Sequence, residues 1–385
     1  MDLRPLYLAL IIFTMSVGIL SVVIPLYSYS LSADSLAVGL IVSAHAIAHI
    51  LASPLWGRAS DRLGRRLSLG IGMLLSSVIV PLYPFMNDLG FLAVISFLRG
   101  LVDASFWIVP WALIADLYTP QELGQVFGKV GMIQGIGFIV GPFFGGFLVG
   151  QLNYPSIFYM SSAFVFSTAL LVFFGVDEEP RVPTEKSTGS SEAQLESGAI
   201  ARKSVAIAYV DTALSGLFLG VINSQFIIHA SEILREEYLV GFLLTSYYLA
   251  ETFVQPLAGR LSDMLGRHRT ILFAFVICAI GFLALLLPPS FVSFLIATVI
   301  VGMGVGMLYI APSALLMDAT PPSQRGLTVG FYSTVWGIGF FLGPVLGGAA
   351  AIYSVGAPYI LSTIASAMGG ILALIGLMLT PKKRH

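Results

Sequence analysis

Long apolar runs alternate with short polar stretches along the whole chain. A helix that crosses a bilayer needs about 20 apolar residues, and twelve runs reach roughly that length, at residues 6–28, 37–56, 67–86, 90–115, 127–150, 155–176, 204–230, 239–258, 270–288, 291–317, 327–350 and 356–379. Composition agrees, because 57% of the 385 residues are hydrophobic and 10% are charged, too few charges to cover a soluble globule. The pattern predicts an all-α membrane protein with twelve transmembrane helices.

Basic residues mark one side of these predicted helices. Of the 19 Lys and Arg residues, all but Arg99 and Arg235 lie at the termini or in and beside the even-numbered connections. Basic residues concentrate in connections on the cytoplasmic side of a membrane. We therefore expect both termini in the cytoplasm, which requires an even number of spans and agrees with twelve.

The chain contains an internal repeat at an offset of 202 residues. Residues 57–66 read GRASDRLGRR and residues 259–268 read GRLSDMLGRH, with seven of ten positions identical. A repeat of this length in an apolar chain predicts two homologous bundles of membrane helices. We expect six-helix bundles over 1–176 and 204–385, joined by a polar cytoplasmic linker over 177–203.

The charged decapeptide resembles the cytoplasmic signature of the major facilitator superfamily, Gly-x-x-x-Asp-Arg-x-Gly-Arg-Arg, found between the second and third helices of those transporters. The first copy carries it in full, at Gly57, Asp61, Arg62, Gly64, Arg65 and Arg66. The second copy keeps Gly259, Asp263 and Arg267, whereas Met264 and His268 replace two of the basic residues.

The resemblance implies that these loops gate the cytoplasmic side. Arg65 or Arg62 is expected to reach Asp116 at the end of the fourth run. In the second half, Arg267 and Asp318 would mirror that contact.

A glycine-rich stretch recurs at the same offset. Residues 135–146 read GIGFIVGPFFGG and residues 337–348 read GIGFFLGPVLGG, with eight of twelve positions identical. Glycines four apart let a neighbouring helix approach closely, and an interior proline permits a bend. The stretch also resembles the fifth-helix pattern of the superfamily's antiporters, which implies export; small-residue packing alone is the other interpretation. The residues concerned are Gly137, Gly141, Pro142, Gly145, Gly146, Gly339, Gly343 and Pro344.

Several ionisable residues fall inside predicted spans, where each costs a few kcal/mol. Arg99 and Asp103 are four residues apart, on one helix face. One interpretation is a structural ion pair. The other is a part of a proton pathway, because Arg99 resembles the arginine of a superfamily motif linked to proton transfer. Glu251 has no neighbour of opposite charge in its own predicted helix. It is a candidate proton site or the counter-ion of a cationic substrate.

Two further residues are candidates for proton coupling. His49 is the repeat counterpart of Glu251, and Asp211 lies well inside the seventh run. The other interpretations are a hydrogen-bonded packing histidine and an aspartate that reaches toward the cytoplasm.

Aromatic and amide residues in the predicted spans suggest a substrate chamber suited to bulky amphipathic or cationic solutes. Each of them alone is also consistent with packing. They are Trp107, Trp111, Gln134, Asn223, Tyr247, Tyr248, Tyr309 and Trp336.

The remaining motifs exclude most enzyme classes. No phosphate-binding loop or dinucleotide fingerprint is complete, and Cys278 is the single cysteine. We expect neither an enzyme nor a cofactor, metal or nucleic-acid partner, but a monomer that contacts the lipid bilayer, a small-molecule substrate and protons. Proton-coupled efflux of drugs or metabolites is the predicted function; the alternatives are a proton-coupled importer of a small organic solute and a non-transporting membrane sensor.

Overall fold

The computed structural model describes residues 3–31, 34–118, 123–176, 198–320 and 325–379, and every regular element in these ranges is helical. The helices are α1 Arg4–Ser30, α2 Ser35–Leu63, α3 Arg65–Ile79, α4 Leu89–Leu117, α5 Leu123–Gln151, α6 Tyr154–Gly175, α7 Gly198–Val221, α8 Ile227–Leu234, α9 Glu237–Leu265, α10 Arg267–Ala284, α11 Phe291–Ala319, α12 Arg325–Ala351 and α13 Ala357–Leu379. A 3₁₀ turn, Val80–Phe85, follows α3, and a π-turn, Ile222–Phe226, joins α7 to α8.

Eleven helical segments among the described residues are long and apolar enough to cross a membrane. One of them, Ser204–Leu234, combines part of α7 with the π-turn and α8. The helix α9 is not among the eleven. It occupies the predicted eighth run, and its middle contains Tyr247, Tyr248, Glu251 and Gln255.

The chain divides into two compact units. Unit 1 comprises Met1–Val182 with Asn223–Tyr248, and unit 2 comprises Pro183–Ile222 with Leu249–His385. In unit 1, α1 packs along α5 and α6, α2 along α4, and α3 against α4 and α6. Two of its apolar clusters of buried side chains lie around Phe13 and Phe106 and around Tyr83 and Phe158.

Unit 2 repeats this packing scheme. Its α7 packs along α12, as α1 does along α5, and α10 packs against α11 and α13. Phe218 of α7 contacts two rings of α10, with centroids 6.4 Å from Phe275 and 5.1 Å from Phe282. The repeat detected in the sequence is therefore also a repeat of helix contacts.

Glycines explain the close approach of α1 to α5. A Cβ atom added to Gly141 would lie 2.5 Å from the carbonyl oxygen of Met15, and one added to Gly18 would lie 2.8 Å from Cδ of Pro142. Contacts this short leave room for hydrogen only.

The same geometry recurs between α7 and α12. A Cβ atom added to Gly343 would lie 2.3 Å from the carbonyl oxygen of Leu217, and one added to Gly339 would lie 1.8 Å from that of Ala213. The prediction of close helix packing at the two glycine-rich stretches is confirmed.

Two glycines form the sharp turns within the charged decapeptides. Gly64 has φ 97° and ends α2, and Gly266 has φ 95° and ends α9. A side chain would be strained in this backbone region, which glycine adopts readily. The repeat therefore preserves glycine at both positions because the next helix has to begin at once.

We predict that Gly141→Ala lowers the melting temperature of the detergent-purified protein, because overpacking typically costs about 1–3 kcal/mol. The matched control is Gly131→Ala on the same helix, where an added Cβ meets nothing within 4 Å. A maleimide dye that reacts with the buried thiol of Cys278 as the protein unfolds gives the measurement. Equal melting temperatures for the two variants would contradict the packing argument.

Candidate functional site

The first charged loop is organised around Arg65. Its Nη1 lies 2.8 Å from the Asp61 carboxylate and 2.5 Å from Oγ of Ser60, and its Nε lies 2.9 Å from the carboxylate of Asp116. The guanidinium thus ties the start of α3 to the ends of α2 and α4. The predicted contact with Asp116 is made by Arg65.

The second charged loop has the same arrangement around Arg267. This guanidinium pairs with Asp263 and lies 2.8 Å from the Asp318 carboxylate and 3.1 Å from Oγ of Ser262. The expected mirror image is therefore present in unit 2. The loss of two basic residues from the second decapeptide leaves this local network intact.

The last residue differs between the two decapeptides, and so do its contacts. Arg66 donates a hydrogen bond to the carbonyl of Phe173 near the end of α6. His268 occupies the equivalent position in unit 2, where it is buried and packs beside Gly376 of α13. Among the described residues, neither ring nitrogen of His268 has a hydrogen-bond partner.

Two other residues of the signature are not held by close packing. A Cβ atom added to Gly57 would meet nothing within 4 Å, and one added to Gly259 would first meet Ile310 at 3.9 Å. Neither glycine is explained by the helix contacts that require glycine in α5 and α12.

A buried ion pair lies inside unit 1. Arg99 Nε is 2.9 Å from one carboxylate oxygen of Asp103, and Oγ of Ser76 donates to the other at 2.6 Å. The two charged side chains are only 6% and 1% exposed. Ser76 of α3 thus completes the hydrogen bonding of the carboxylate, which the sequence did not indicate because Ser76 lies on a different helix.

The α2 histidines lie at mid-helix. The carbonyl of His49 accepts a hydrogen bond from Ser53, and His49 itself is half-buried. One turn earlier, His45 packs against α4, where a Cβ atom added to Gly100 would lie 2.2 Å from its carbonyl oxygen. The Nδ1 atom of His45 has no hydrogen-bond partner within the described part of the chain.

Glu251 of α9 belongs to unit 2. Its backbone packs against α11, where a Cβ atom added to Gly306 would lie 2.5 Å from its carbonyl oxygen. Gly306 lies one helical turn before Tyr309 on α11. Tyr332 donates to the carbonyl of Tyr309 at 2.9 Å, and the two rings meet edge to face at 6.1 Å.

Glu251 therefore lies on the part of α9 that packs one helical turn from Tyr309, and the Tyr309 ring contacts that of Tyr332 on α12. Tyr309 was a predicted site residue, whereas Tyr332 was missed. Its repeat counterpart is Val130, a buried apolar residue, so the repeat offered no indication of it.

Asp211 of α7 also belongs to unit 2 and is fully buried. Neither carboxylate oxygen has a hydrogen-bond partner in the described ranges. Asp103 has partners for both oxygens, so the two buried aspartates differ in their hydrogen bonding.

The aromatic residues predicted to line one chamber fall into separate groups. In unit 1, Trp107 and Tyr248 are joined through Phe138, and Tyr248 meets Tyr247 edge to face at 5.2 Å. Trp111 packs against the apolar core of unit 1. In unit 2, Trp336 stacks on Phe340 at 5.5 Å with the ring planes 3° apart.

The buried pair in unit 1 yields a stability prediction. Arg99→Met leaves the Asp103 carboxylate with Ser76 alone, and loss of one partner from a buried pair typically costs about 3–5 kcal/mol. Because the double variant Arg99→Met, Asp103→Leu removes both charges, we expect it to melt at a higher temperature than the single variant. Thermal unfolding in detergent compares them, and a double variant no more stable than the single one would refute this account.

Comparison with known proteins agrees with the family that the sequence resembles. The family model of the Major Facilitator Superfamily matches residues 6–231 and 204–385. Multidrug resistance protein 1 of Bacillus subtilis is 26% identical over 362 residues, covering 92% of this chain and 91% of that protein. The quinolone resistance protein NorA of Staphylococcus aureus is 24% identical, covering 96% and 95%.

Solved structures extend the comparison. A bacterial homologue of the human lysosomal transporter Spinster superposes with a TM-score of 0.77 at 16% identity, covering 99% of this chain and 97% of that one. The nucleoside transporter NupG gives a TM-score of 0.75 at 16% identity, covering 98% and 99%. The chain therefore belongs to the Major Facilitator Superfamily and is an integral multi-pass membrane transporter, not an enzyme.

Proposed function

We propose that the protein is a proton-coupled exporter of amphipathic or cationic compounds, acting as a monomer in the cell membrane. The relatives named as multidrug resistance proteins support export. The observation that carries the proposal is the packing of Glu251 against Gly306 of α11, one helical turn from the contacting rings of Tyr309 and Tyr332.

The proposed topology has twelve transmembrane helices with both termini in the cytoplasm. Two homologous six-helix bundles, 1–176 and 204–385, are connected by the linker 177–203 and work by alternating access. Rocking of two halves related by a repeat exposes one site alternately to the two sides of the membrane.

Glu251 is suited to exchange of a cation for a proton. A carboxylate attracts a cationic substrate, and the faces of the neighbouring tyrosine rings add a cation–π attraction. Protonation of the carboxylate removes that charge and weakens the binding of a cation. Because the proton and the substrate compete for one group, each leaves when the other binds, which is the requirement for antiport.

Asp211 and Asp103 are assigned different parts in this proposal. Asp211 lacks a partner in the described ranges, and an isolated charge in hydrocarbon is costly, so it is the second candidate for carrying a proton. Asp103 is held by Arg99 and Ser76 at 2.9 and 2.6 Å. Proton transfer through Asp103 would require that network to rearrange. His49 of α2 is a further candidate for proton coupling in this proposal.

The direct test uses protein in liposomes with a pH-sensitive dye inside. Addition of a lipophilic cation such as ethidium is expected to drive protons in the opposite direction to the cation. Glu251→Gln is expected to abolish this counter-flow, because the amide cannot exchange a proton. The matched control Glu236→Gln removes an exposed carboxylate that precedes α9 and is expected to retain it.

Each other outcome has a definite meaning. Movement of protons with the solute would identify an importer and overturn the assignment of export. Undiminished counter-flow in Glu251→Gln would remove Glu251 from the coupling mechanism. A solute-dependent structural response without any flux would favour a sensor.

The charged loop of unit 1 yields a separate prediction. Asp61→Asn and Asp116→Asn each remove a partner of Arg65 and are expected to reduce transport several-fold. Exposed ion pairs contribute only about 0–1 kcal/mol, so the melting temperature should change little. The control is Asp88→Asn, which keeps a side-chain oxygen to cap the start of α4. Unchanged transport in both loop variants would exclude a gating role for the charged loop of unit 1.

A further inference from the structure

Three aromatic rings from three helices form a column within unit 1. Trp107 of α4 stacks on Phe138 of α5 with centroids 5.9 Å apart and planes inclined by 18°. Phe138 in turn stacks on Tyr248 of α9, at 5.3 Å and 28°. Trp107 and Phe138 are half-buried, so part of each ring surface is available for contact.

One end of this column is fixed by a hydrogen bond. The hydroxyl of Tyr248 donates to Oδ1 of Asn223 at 3.0 Å. Asn223 lies in the π-turn that joins α7 to α8, and π-turns within helices occur frequently at functional sites. The orientation of the Tyr248 ring is therefore set by the polar residue opposite it.

Gln134 lies on the same face of α5 as Phe138, one helical turn earlier. It is 6% exposed, and its Nε2 atom has no hydrogen-bond partner among the residues that the structure describes. A buried amide donor is normally bonded, because leaving it without an acceptor carries the full cost of removing it from water. This donor therefore lacks an acceptor at a position adjacent to the aromatic column.

We infer that the column and Gln134 form a subsite for flat aromatic solutes that carry a neutral hydrogen-bond acceptor such as a carbonyl oxygen. The solute stacks on the exposed surface of Trp107, at the end of the column, and its oxygen accepts from Nε2 of Gln134. An offset stacked arrangement is the favoured geometry for such ring pairs. The subsite deepens the proposed export function, but it recognises shape and an acceptor rather than positive charge.

The chemistry of the subsite separates it from the Glu251 region. Trp107, Phe138, Tyr248 and Gln134 carry no ionised group, whereas Glu251 is a carboxylic acid. A neutral ligand consequently tests the subsite without testing cation binding.

The experiment measures equilibrium binding of fluorenone and fluorene to the full chain in lipid nanodiscs, with binding to empty nanodiscs subtracted. The two probes are flat and differ only in the carbonyl group. We expect fluorenone to bind about tenfold more tightly, the ratio that corresponds to one hydrogen bond of about 1.4 kcal/mol. Gln134→Met should remove this preference while leaving fluorene binding unchanged.

Two further variants complete the test. Trp107→Leu is expected to weaken both probes, because it removes the stacking surface. The control Gln255→Met makes the same side-chain exchange on α9 in unit 2 and should retain the tenfold preference. Each variant is first compared with the wild type by thermal unfolding.

Equal binding of the two probes to the wild type would overturn the inference, as would equal weakening of both probes by Gln134→Met. The outcome is distinguishable from failure of the proposed function, since fluorenone binding should persist in Glu251→Gln. Cation-driven proton counter-flow without a fluorenone preference would leave the exporter proposal standing and reject the subsite. A fluorenone preference without cation-driven proton counter-flow would support the subsite and reject the exporter proposal.

Discussion

Hydrocarbon cannot solvate a charge or a backbone amide, and this constraint accounts for the main features of the structure. Helices satisfy their own backbone groups, which explains why every described regular element is helical. The same constraint explains the complete bonding of Asp103 by Arg99 and Ser76. It also makes a buried carboxylate such as that of Asp211, which has no hydrogen-bond partner among the described residues, unusual enough to suggest a function.

Much of the fold could be predicted from the sequence because the repeat reports on packing as well as on homology. The pairs Gly137 with Gly339 and Gly141 with Gly343 mark positions where backbones touch, and no residue with a Cβ fits there. The charged loops were predictable for a similar reason, since the geometry around Arg65 depends on residues that recur around Arg267. Both features depend on residues that occur twice in the sequence at the same offset, which makes them visible without the structure.

The candidate site was less predictable, because its members come from helices that are far apart in the chain. Ser76 bonds to Asp103, Phe138 links Trp107 to Tyr248, and Tyr332 contacts Tyr309. No spacing rule connects the members of any of these groups. The sequence predicted an aromatic chamber, but it did not indicate which aromatic rings contact each other within each unit.

The π-turn at Ile222–Phe226 affects how changes in chain length would be tolerated. A π-turn holds one residue more than an α-helical turn, and each residue of an α-helix advances the side chains by about 100° around the axis. Deletion of one residue there would restore a regular helix and rotate all of α8 by that angle, turning buried Ile227, Ile228 and Ala230 away from their present neighbours. Gene variants that lack or gain one codon in this segment should therefore be far rarer than variants that lack or gain a codon in the linker 177–203.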